Sequence, residues 1–257
     1  MSEIKRVAVV TGGSKGIGLG IVKEFINKQI NVLVIARNEK ILLDLKTKYN
    51  PDQIETLAGD VSDVNLPKKA LDLALSKWGR VDILVNNAGG PPADSFLVHD
   101  EKAWMSAFEK NLMSVIRFST IFAPIMKQNN WGRILSITST IAKEPSPMMV
   151  LSATMRAGVA AFNKSISTEL APYNITVNAI CPGGVLTDRL ISLVKKISSK
   201  NNKSFDEALK ESENSIPIKR FASTEEIAKT AYFLCSQNGS YVTGVQLSVD
   251  GGLSKSY

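Results

Sequence analysis

The segment VAVVTGGSKGIG, residues 7–18, specifies the architecture of the chain more clearly than any other. It begins with a short apolar run rich in β-branched residues, which is typical of a strand buried on both faces. A glycine-rich turn then leads into IGLGIVKEFINK, where apolar residues recur at helical spacing. Glycines in such a turn permit a tight bend and a close approach of backbone N–H groups to a pyrophosphate. A strand, a glycine-rich turn and a helix in this order predict a dinucleotide-binding loop.

Apolar strand-like runs recur along the whole chain and alternate with helical patterns, which predicts an α/β protein. The pattern predicts a single-domain, Rossmann-type doubly wound parallel sheet of about seven strands, with helices on both faces. The further strands are expected at Asn31–Ala36, Ile54–Ala58, Asp82–Val85, Gly132–Thr138, Ile175–Cys181 and Val245–Val249. The intervening helices are expected at Lys40–Tyr49, Val64–Trp78, Asp100–Lys127 and Thr224–Ser236.

Length and composition favour one domain over residues 1–257. A chain of 257 residues with 44% hydrophobic and 21% charged residues is ordinary for a globular α/β domain. The first residues lack the apolar core of a signal peptide, and no apolar run approaches membrane-spanning length. The two cysteines, Cys181 and Cys235, give neither a metal-ligand spacing nor a disulfide framework. We therefore expect a cytoplasmic protein with no metal and no membrane contact.

The net charge of +7 does not by itself predict a nucleic-acid partner. Basic residues are scattered and lack interleaved aromatics, except for a local excess over residues 195–203. A solvated basic surface is the favoured interpretation, and attraction of an anionic substrate or carrier is the alternative.

Cofactor choice is expected where the second strand ends. Dehydrogenases that prefer NAD usually place Asp or Glu there to hold the ribose 2′-hydroxyl, whereas this chain has Arg37. Lys15 in the glycine loop faces the same region. Two cations suit a 2′-phosphate, so NADP(H) is predicted in preference to NAD(H). The alternative is that both are solvated surface residues.

Two further segments are expected near a substrate. Pro91–Ser95 can form one wall of a substrate pocket. Residues 186–219 form a long segment later in the chain, and apolar positions in its first helix suit an acyl-bearing substrate, although ordinary packing explains them equally. The only histidine, His99, is expected to be a solvated residue at a helix start rather than a catalytic group.

Four motifs in order resemble the short-chain dehydrogenase/reductase family, in its branch of about 250 residues that is similar to 3-oxoacyl-acyl-carrier-protein reductases. They are Thr11-Gly-x-x-x-Gly-x-Gly, Asn86-Asn87-Ala88-Gly89, the lone Asn111 and Pro182-Gly183. The resemblance covers essentially the whole chain and implies an NADP(H)-dependent oxidoreductase acting on a small carbonyl or alcohol substrate. It also implies a homotetramer or homodimer, and a mobile lid over the substrate formed by residues 186–219.

The resemblance assigns most cofactor contacts. They comprise Gly12, Ser14, Lys15, Gly16, Ile17, Gly18, Arg37, Asp60, Val61, Asn87, Ala88, Gly89, Arg156, Pro182, Gly183, Val185 and Thr187. Asp60 in this role accepts from the adenine amino group, but it could equally cap the following helix.

The family's catalytic motif is altered in this chain. In the family a serine, here Ser139, is followed at fixed spacing by Tyr and then Lys, and Asn111 matches the residue that holds a water in a proton relay. Counting from Ser139 places Ser152 at the Tyr position and Arg156 at the Lys position, and no tyrosine is followed at i+4 by Lys. A serine is far less acidic than a phenol, so direct acid catalysis by Ser152 is not expected.

The sequence therefore leaves two functions open. One is an NADP(H)-dependent carbonyl reductase or alcohol dehydrogenase whose catalytic residues are Ser139, Asn111, Ser152 and Arg156, with a water held among them as proton donor. The other is an NADP(H)-binding protein of the same fold that senses or regulates without efficient turnover.

Overall fold

A computed structural model of the chain describes residues 5–256. The strands in this part of the chain form one seven-stranded sheet. The strands are β1 (Val7–Thr11), β2 (Asn31–Ala36), β3 (Ile54–Ala58), β4 (Ile83–Asn86), β5 (Gly132–Ile137), β6 (Ile175–Pro182) and β7 (Gln246–Val249). Their order in the sheet is β3-β2-β1-β4-β5-β6-β7, and every pairing is parallel. The predicted doubly wound parallel sheet is confirmed.

Helices cover both faces of this sheet. They are α1 (Gly16–Asn27), α2 (Glu39–Lys46), α3 (Leu66–Trp78), α4 (Glu101–Phe108), α5 (Ser114–Gln128), α6 (Val150–Leu170), α7 (Asp188–Lys200), α8 (Phe205–Asn214) and α9 (Thr224–Cys235). None of the described helices is long and apolar enough to cross a membrane.

The central strands bury both faces, which explains why they read as continuous apolar runs. Because side chains alternate along a strand, Val10 and Val34 pack under α1 and α9, whereas Val9 and Leu33 pack under α3 and α5. Cys181 and Cys235 are both buried and unpaired.

The strand order reverses between β1 and β4, and this reversal positions the site. In open parallel sheets, ligands bind outside the carboxyl ends of the strands at such a switch point. The glycine loop, the Asn87–Gly89 turn and Ser139 all follow strands at this edge.

The predicted helix over Asp100–Lys127 is interrupted in the structure. A turn of π-helix over Glu109–Met113 separates α4 from α5, and Asn111 lies in it. The helix predicted to reach Tyr49 ends earlier, at Lys46, because the chain turns there toward Pro51. The predicted lid over residues 186–219 contains α7 and α8.

Candidate active site

The glycine loop is built for close backbone approach. Gly12 has a φ of 59°, and a Cβ there would lie 2.5 Å from the carbonyl oxygen of Asn87. A Cβ on Gly18 would collide with the carbonyl oxygen of Gly12. The loop is therefore pressed against both the start of α1 and the turn after β4.

The N-terminus of α1 is left open toward this loop. Its N-cap residue, Lys15, is extended and makes no capping side-chain hydrogen bond, and the first turn carries no acidic residue. The first backbone N–H groups and the positive end of the helix dipole are thus free for an anion. Ser14, Gly16 and Ile17 lie at this helix end, where a pyrophosphate would fit.

Asn87 joins the loop to β4 through four hydrogen bonds. Its Nδ2 donates to the carbonyl oxygens of Thr11 at 3.2 Å and Gly12 at 3.1 Å. Its backbone N–H donates to the Thr11 hydroxyl at 2.9 Å, and that hydroxyl donates to the Asn87 carbonyl at 3.0 Å. Asn87 therefore fixes the shape of the cofactor loop, and Ala88 and Gly89 continue along the cleft.

Arg37, directly after β2, and Lys15, at the start of α1, are both exposed, as the 2′-phosphate prediction requires. An acid does lie near, although the sequence showed none at the end of this strand: Asp60 Oδ2 is 3.9 Å from Arg37 Nη1. The Arg37 side chain is 74% exposed, so solvent screens this pair and the cation stays available.

Asp60 does not cap the following helix, so that interpretation is wrong. Helix α3 begins at Leu66 with Asn65 as its N-cap, and the Asp60 carboxylate instead accepts from the backbone N–H and hydroxyl of Ser62 at 3.0 and 2.7 Å. Burial opposes ionisation of Asp60, but these hydrogen bonds and nearby cations hold its pKa below the usual value. The carboxylate remains a candidate acceptor for adenine, next to Val61.

The turn after β6 crosses the front of the site. Pro182, Gly183 and Val185 lead to Thr187, which is the N-cap of α7. The Thr187 hydroxyl accepts from the Leu190 N–H at 3.4 Å and donates to the Val185 carbonyl at 3.2 Å. Its methyl lies beside Gly16, so this turn faces the glycine loop directly.

Arg156 occupies the centre of the site. Its Nε donates to the Ser152 hydroxyl at 3.0 Å, and its Nη1 donates to the carbonyl oxygens of Ile137, at 3.2 Å, and Thr138. Burial lowers its pKa to about 10, so the guanidinium is charged at neutral pH. The side chain is half-buried and lines a cleft together with Asn111, Thr11, Ala88 and Thr138.

Ser152 is only 2% exposed and acts on the site through Arg156. Because its hydroxyl is the acceptor for the Arg156 Nε, it holds the guanidinium in place. Ser139 is half-exposed, and its hydroxyl accepts from the Ile141 N–H at 3.3 Å. The two serines are thus engaged separately rather than with each other.

Asn111 is brought to the site by the wide π-helical turn. Its Nδ2 donates to the Gly89 carbonyl at 2.9 Å, which ties the helix to the turn after β4. The sequence signal for this was a poor helix former inside a long helical pattern.

His99 departs from the prediction of a solvated residue. It is half-buried, with a buried Nε2 that has no hydrogen-bond partner in the described part of the chain, and Asp100 rather than His99 caps α4. It does not line the cleft, so a catalytic role gains no support.

The sequence analysis missed Arg189. This residue stands in the first turn of α7, and its Nη2 donates to the Pro91 carbonyl at 2.8 Å. The available signal was a cation two residues after Thr187, at the entrance to the predicted lid.

A doubly wound parallel sheet, an uncapped helix behind a glycine loop and a polar cleft at the switch point define a dinucleotide-dependent oxidoreductase of the short-chain type. The family model described as enoyl-(acyl carrier protein) reductase matches residues 12–254. The chain belongs to the short-chain dehydrogenase/reductase family of oxidoreductases.

Individual relatives match over nearly their whole length. The NADPH-dependent reductase BacG of Bacillus subtilis is 36% identical over 256 residues, which cover 98% of this chain and 99% of BacG. A 3-oxoacyl-[acyl-carrier-protein] reductase, FabG of Chlamydia muridarum, is 35% identical over 257 residues, covering 98% of each chain.

Solved structures agree with the fold. The structure of YwfH, an NADPH-dependent reductase involved in bacilysin biosynthesis, has a TM-score of 0.92 at 35% identity and covers 99% of this chain and 100% of YwfH. An actinorhodin polyketide ketoreductase with NADPH has a TM-score of 0.94 at 30% identity and covers 98% of each chain.

Proposed function

We propose that this protein is an NADPH-dependent reductase of a small carbonyl compound, with Arg156 rather than a tyrosine facing the reacting oxygen. The observation that carries the proposal is the anchored guanidinium of Arg156 in the cleft beside Asn111. Reduction of the 3-oxoacyl type is one form of this chemistry, supported by the likeness to FabG.

The NADP(H) prediction is confirmed by the relatives, which include NADPH-dependent reductases and a ketoreductase solved with NADPH. The residues present fit this cofactor, because the glycine loop leaves no room for a Cβ and the N-terminus of α1 carries no cap or acid. Bound NADPH would supply the hydride. Ser14, Gly16 and Ile17 would hold its pyrophosphate, and Lys15 and Arg37 its 2′-phosphate.

Arg156 would stabilise negative charge on the substrate oxygen. Two of its nitrogens are fixed by Ser152 and by the carbonyl oxygens at the end of β5, so the cation needs no reorganisation when charge develops. Ser152 is the positioning residue in this arrangement. Asn111 and Ser139 are proposed to orient a water that delivers the proton.

The absence of a phenol sets an expected limit on rate. General acid–base catalysis typically contributes ~10²–10⁴-fold, so turnover slower than that of a Tyr-containing relative is expected. Orientation of the two reactants is a separate contribution that this site keeps.

The second candidate is NADP(H) binding without efficient turnover. The observation that favours it is the burial of Ser152, whose hydroxyl accepts from the Arg156 Nε and does not line the cleft. The cofactor loop serves both candidates equally well.

Steady-state NADPH oxidation across ketones and 3-oxoacyl thioesters tests the first proposal. Turnover that falls in Arg156→Met, but not in the charge-matched surface variant Lys229→Met, supports it. Calorimetric binding of NADPH without turnover of any carbonyl would favour the second candidate instead.

We also propose a homotetramer or homodimer. Large apolar side chains lie exposed around the sheet edge at β7, where Tyr241 is fully exposed and Leu247 is 37% exposed. Light scattering of the purified protein would give the assembly.

A further inference from the structure

Arg156 and Arg189 bring two guanidinium groups to one point beside the cleft. A Cβ built on Gly90 would lie 3.6 Å from the Nη2 of each arginine, so these two nitrogens lie no further apart than twice that distance. Arg156 comes from the second turn of α6 and Arg189 from the first turn of α7. Two separate elements therefore place like charges next to each other.

No acidic side chain within the described residues forms an ion pair with either arginine. Among the ion pairs within residues 5–256, none involves Arg156 or Arg189. Burial is the main cause that lowers the pKa of Arg156, and the charge of Arg189 lowers it further. The two like charges repel each other, and an anion bound between them would remove that repulsion.

Both guanidinium groups keep unused donors. Arg156 uses Nε and Nη1 on protein acceptors, which leaves its Nη2 without a hydrogen bond to residues 5–256. Arg189 uses only its Nη2, on the Pro91 carbonyl, so its Nε and Nη1 are likewise open. The two oxygens of one carboxylate can therefore accept from N–H groups of both arginines.

The location points to the substrate rather than the cofactor. The phosphates already have candidate partners at the start of α1 and at Arg37. Arg189 instead contacts the Pro91–Ser95 loop, the expected wall of the substrate pocket, and lies in the first turn of α7, the first helix of the predicted lid.

We propose that the substrate carries a free carboxylate, held between Arg156 and Arg189, and is therefore a small oxo acid. This inference rests on the proposed reductase function and narrows its substrate class. A thioester or ester near the reacting carbonyl presents no negative charge and would leave both arginines uncompensated.

The test compares oxo acids with their own methyl esters. Steady-state NADPH oxidation is measured for a series of 2-oxo and 3-oxo acids and the matching esters, with wild type, Arg189→Met, Arg189→Lys and the surface control Lys229→Met. Arg189 is exposed, so its replacement should leave the fold intact, and thermal melting checks this.

Wild type is expected to favour an acid over its ester in kcat/KM. Arg189→Met should lower kcat/KM for the acid ~10–100-fold, the usual effect of losing a charge-assisted contact, and change the ester little. Arg189→Lys should recover part of the loss, because it keeps the charge without the fork. Lys229→Met should behave as wild type.

Three results would overturn the inference. If esters or thioesters are reduced as well as acids, the substrate needs no free carboxylate, and the proposed reductase function still stands. Arg189→Met that weakens NADPH binding without changing the acid-to-ester ratio would assign Arg189 to a cofactor phosphate. NADPH binding with reduction of neither acids nor esters would refute the proposed function itself, and the carboxylate proposal with it.

Discussion

Restoring the family's tyrosine and lysine together, as Ser152→Tyr with Arg156→Lys, should raise turnover. A positioned phenol with a nearby lysine supplies the general acid that this site lacks. We expect a gain of up to ~10²-fold, the lower end of what such an acid contributes.

The structure explains why both changes are needed. Arg156 Nε lies 3.0 Å from the Ser152 hydroxyl, so a larger side chain at residue 152 must displace the guanidinium. Ser152→Tyr alone should therefore clash and lose stability. Arg156→Lys alone should fold but leave Ser152 without its partner and give no gain in rate.

The double variant also has a cost in stability that can be worked from the contacts. It loses the charged hydrogen bonds from Arg156 to Ser152 and to the carbonyl oxygens of Ile137 and Thr138. The lysine remakes some of them, so a net loss of about 1–3 kcal/mol in the free energy of unfolding is expected. This corresponds to several degrees in Tm for a chain of this size.

The assay is steady-state NADPH oxidation for wild type, both single variants and the double variant, with the pH profile of each. In the double variant, activity should fall as pH rises through the pKa of the new phenol, because the phenolate no longer donates a proton. A double variant that folds, binds NADPH and shows the phenol beside the cofactor, yet reduces no carbonyl faster than wild type, refutes the reasoning.

Two further predictions concern the cofactor and acid stability. Arg37→Asp should weaken NADPH binding by about 1 kcal/mol, a modest effect because Arg37 is exposed and near Asp60. Calorimetry should show no such loss for NADH binding to this variant, or for NADPH binding to the surface control Lys40→Asp. Equal losses for both cofactors would contradict the 2′-phosphate site. Burial opposes ionisation of Glu55, but hydrogen bonds from Lys46 and Lys77 prevail and lower its pKa to about 2, so its stabilisation is present above about pH 4.5 and is lost as pH falls toward 2. Glu55→Gln should therefore lower the free energy of unfolding by ~1 kcal/mol at pH 7 and by little near pH 2. Glu211→Gln, in an exposed ion pair, should leave the free energy of unfolding unchanged at both pH values. A loss of stability in Glu55→Gln that is the same at both pH values would refute this.

Most of the sheet was predictable from sequence because its central strands are buried on both faces. The continuous apolar run Asn31–Ala36 matches β2 residue for residue, and Ile54–Ala58 matches β3 although it is only partly buried and contains Glu55. Helix ends were less predictable, because a short turn decides them. Asp60 shows this: its preference for helix caps is real, but Ser62 supplies nearer partners.

The candidate catalytic residues were predictable in identity but not in arrangement. Spacing from Ser139 identified Ser152 and Arg156, yet it did not indicate that Arg156 folds back onto Ser152 and the end of β5. The place of Arg189 beside the cleft depends on the path of the chain after Thr187, which is set by long-range contacts. Its approach to Gly90 joins residues about one hundred positions apart, which no local pattern encodes.

The π-helical turn at Glu109–Met113 lets one helical rod serve two separate cores. Ala107, before the turn, packs against Leu151 and Met155 of α6, whereas Phe118 and Phe122, after it, pack beneath the sheet. A wide turn holds one more residue than an α-helical turn, so it shifts the angular phase of everything beyond it. The same extra residue that places Asn111 at the cleft thus also determines which face of each helical segment packs against its core. The position of the Asn111 side chain in the site therefore depends on the packing of two separate hydrophobic clusters.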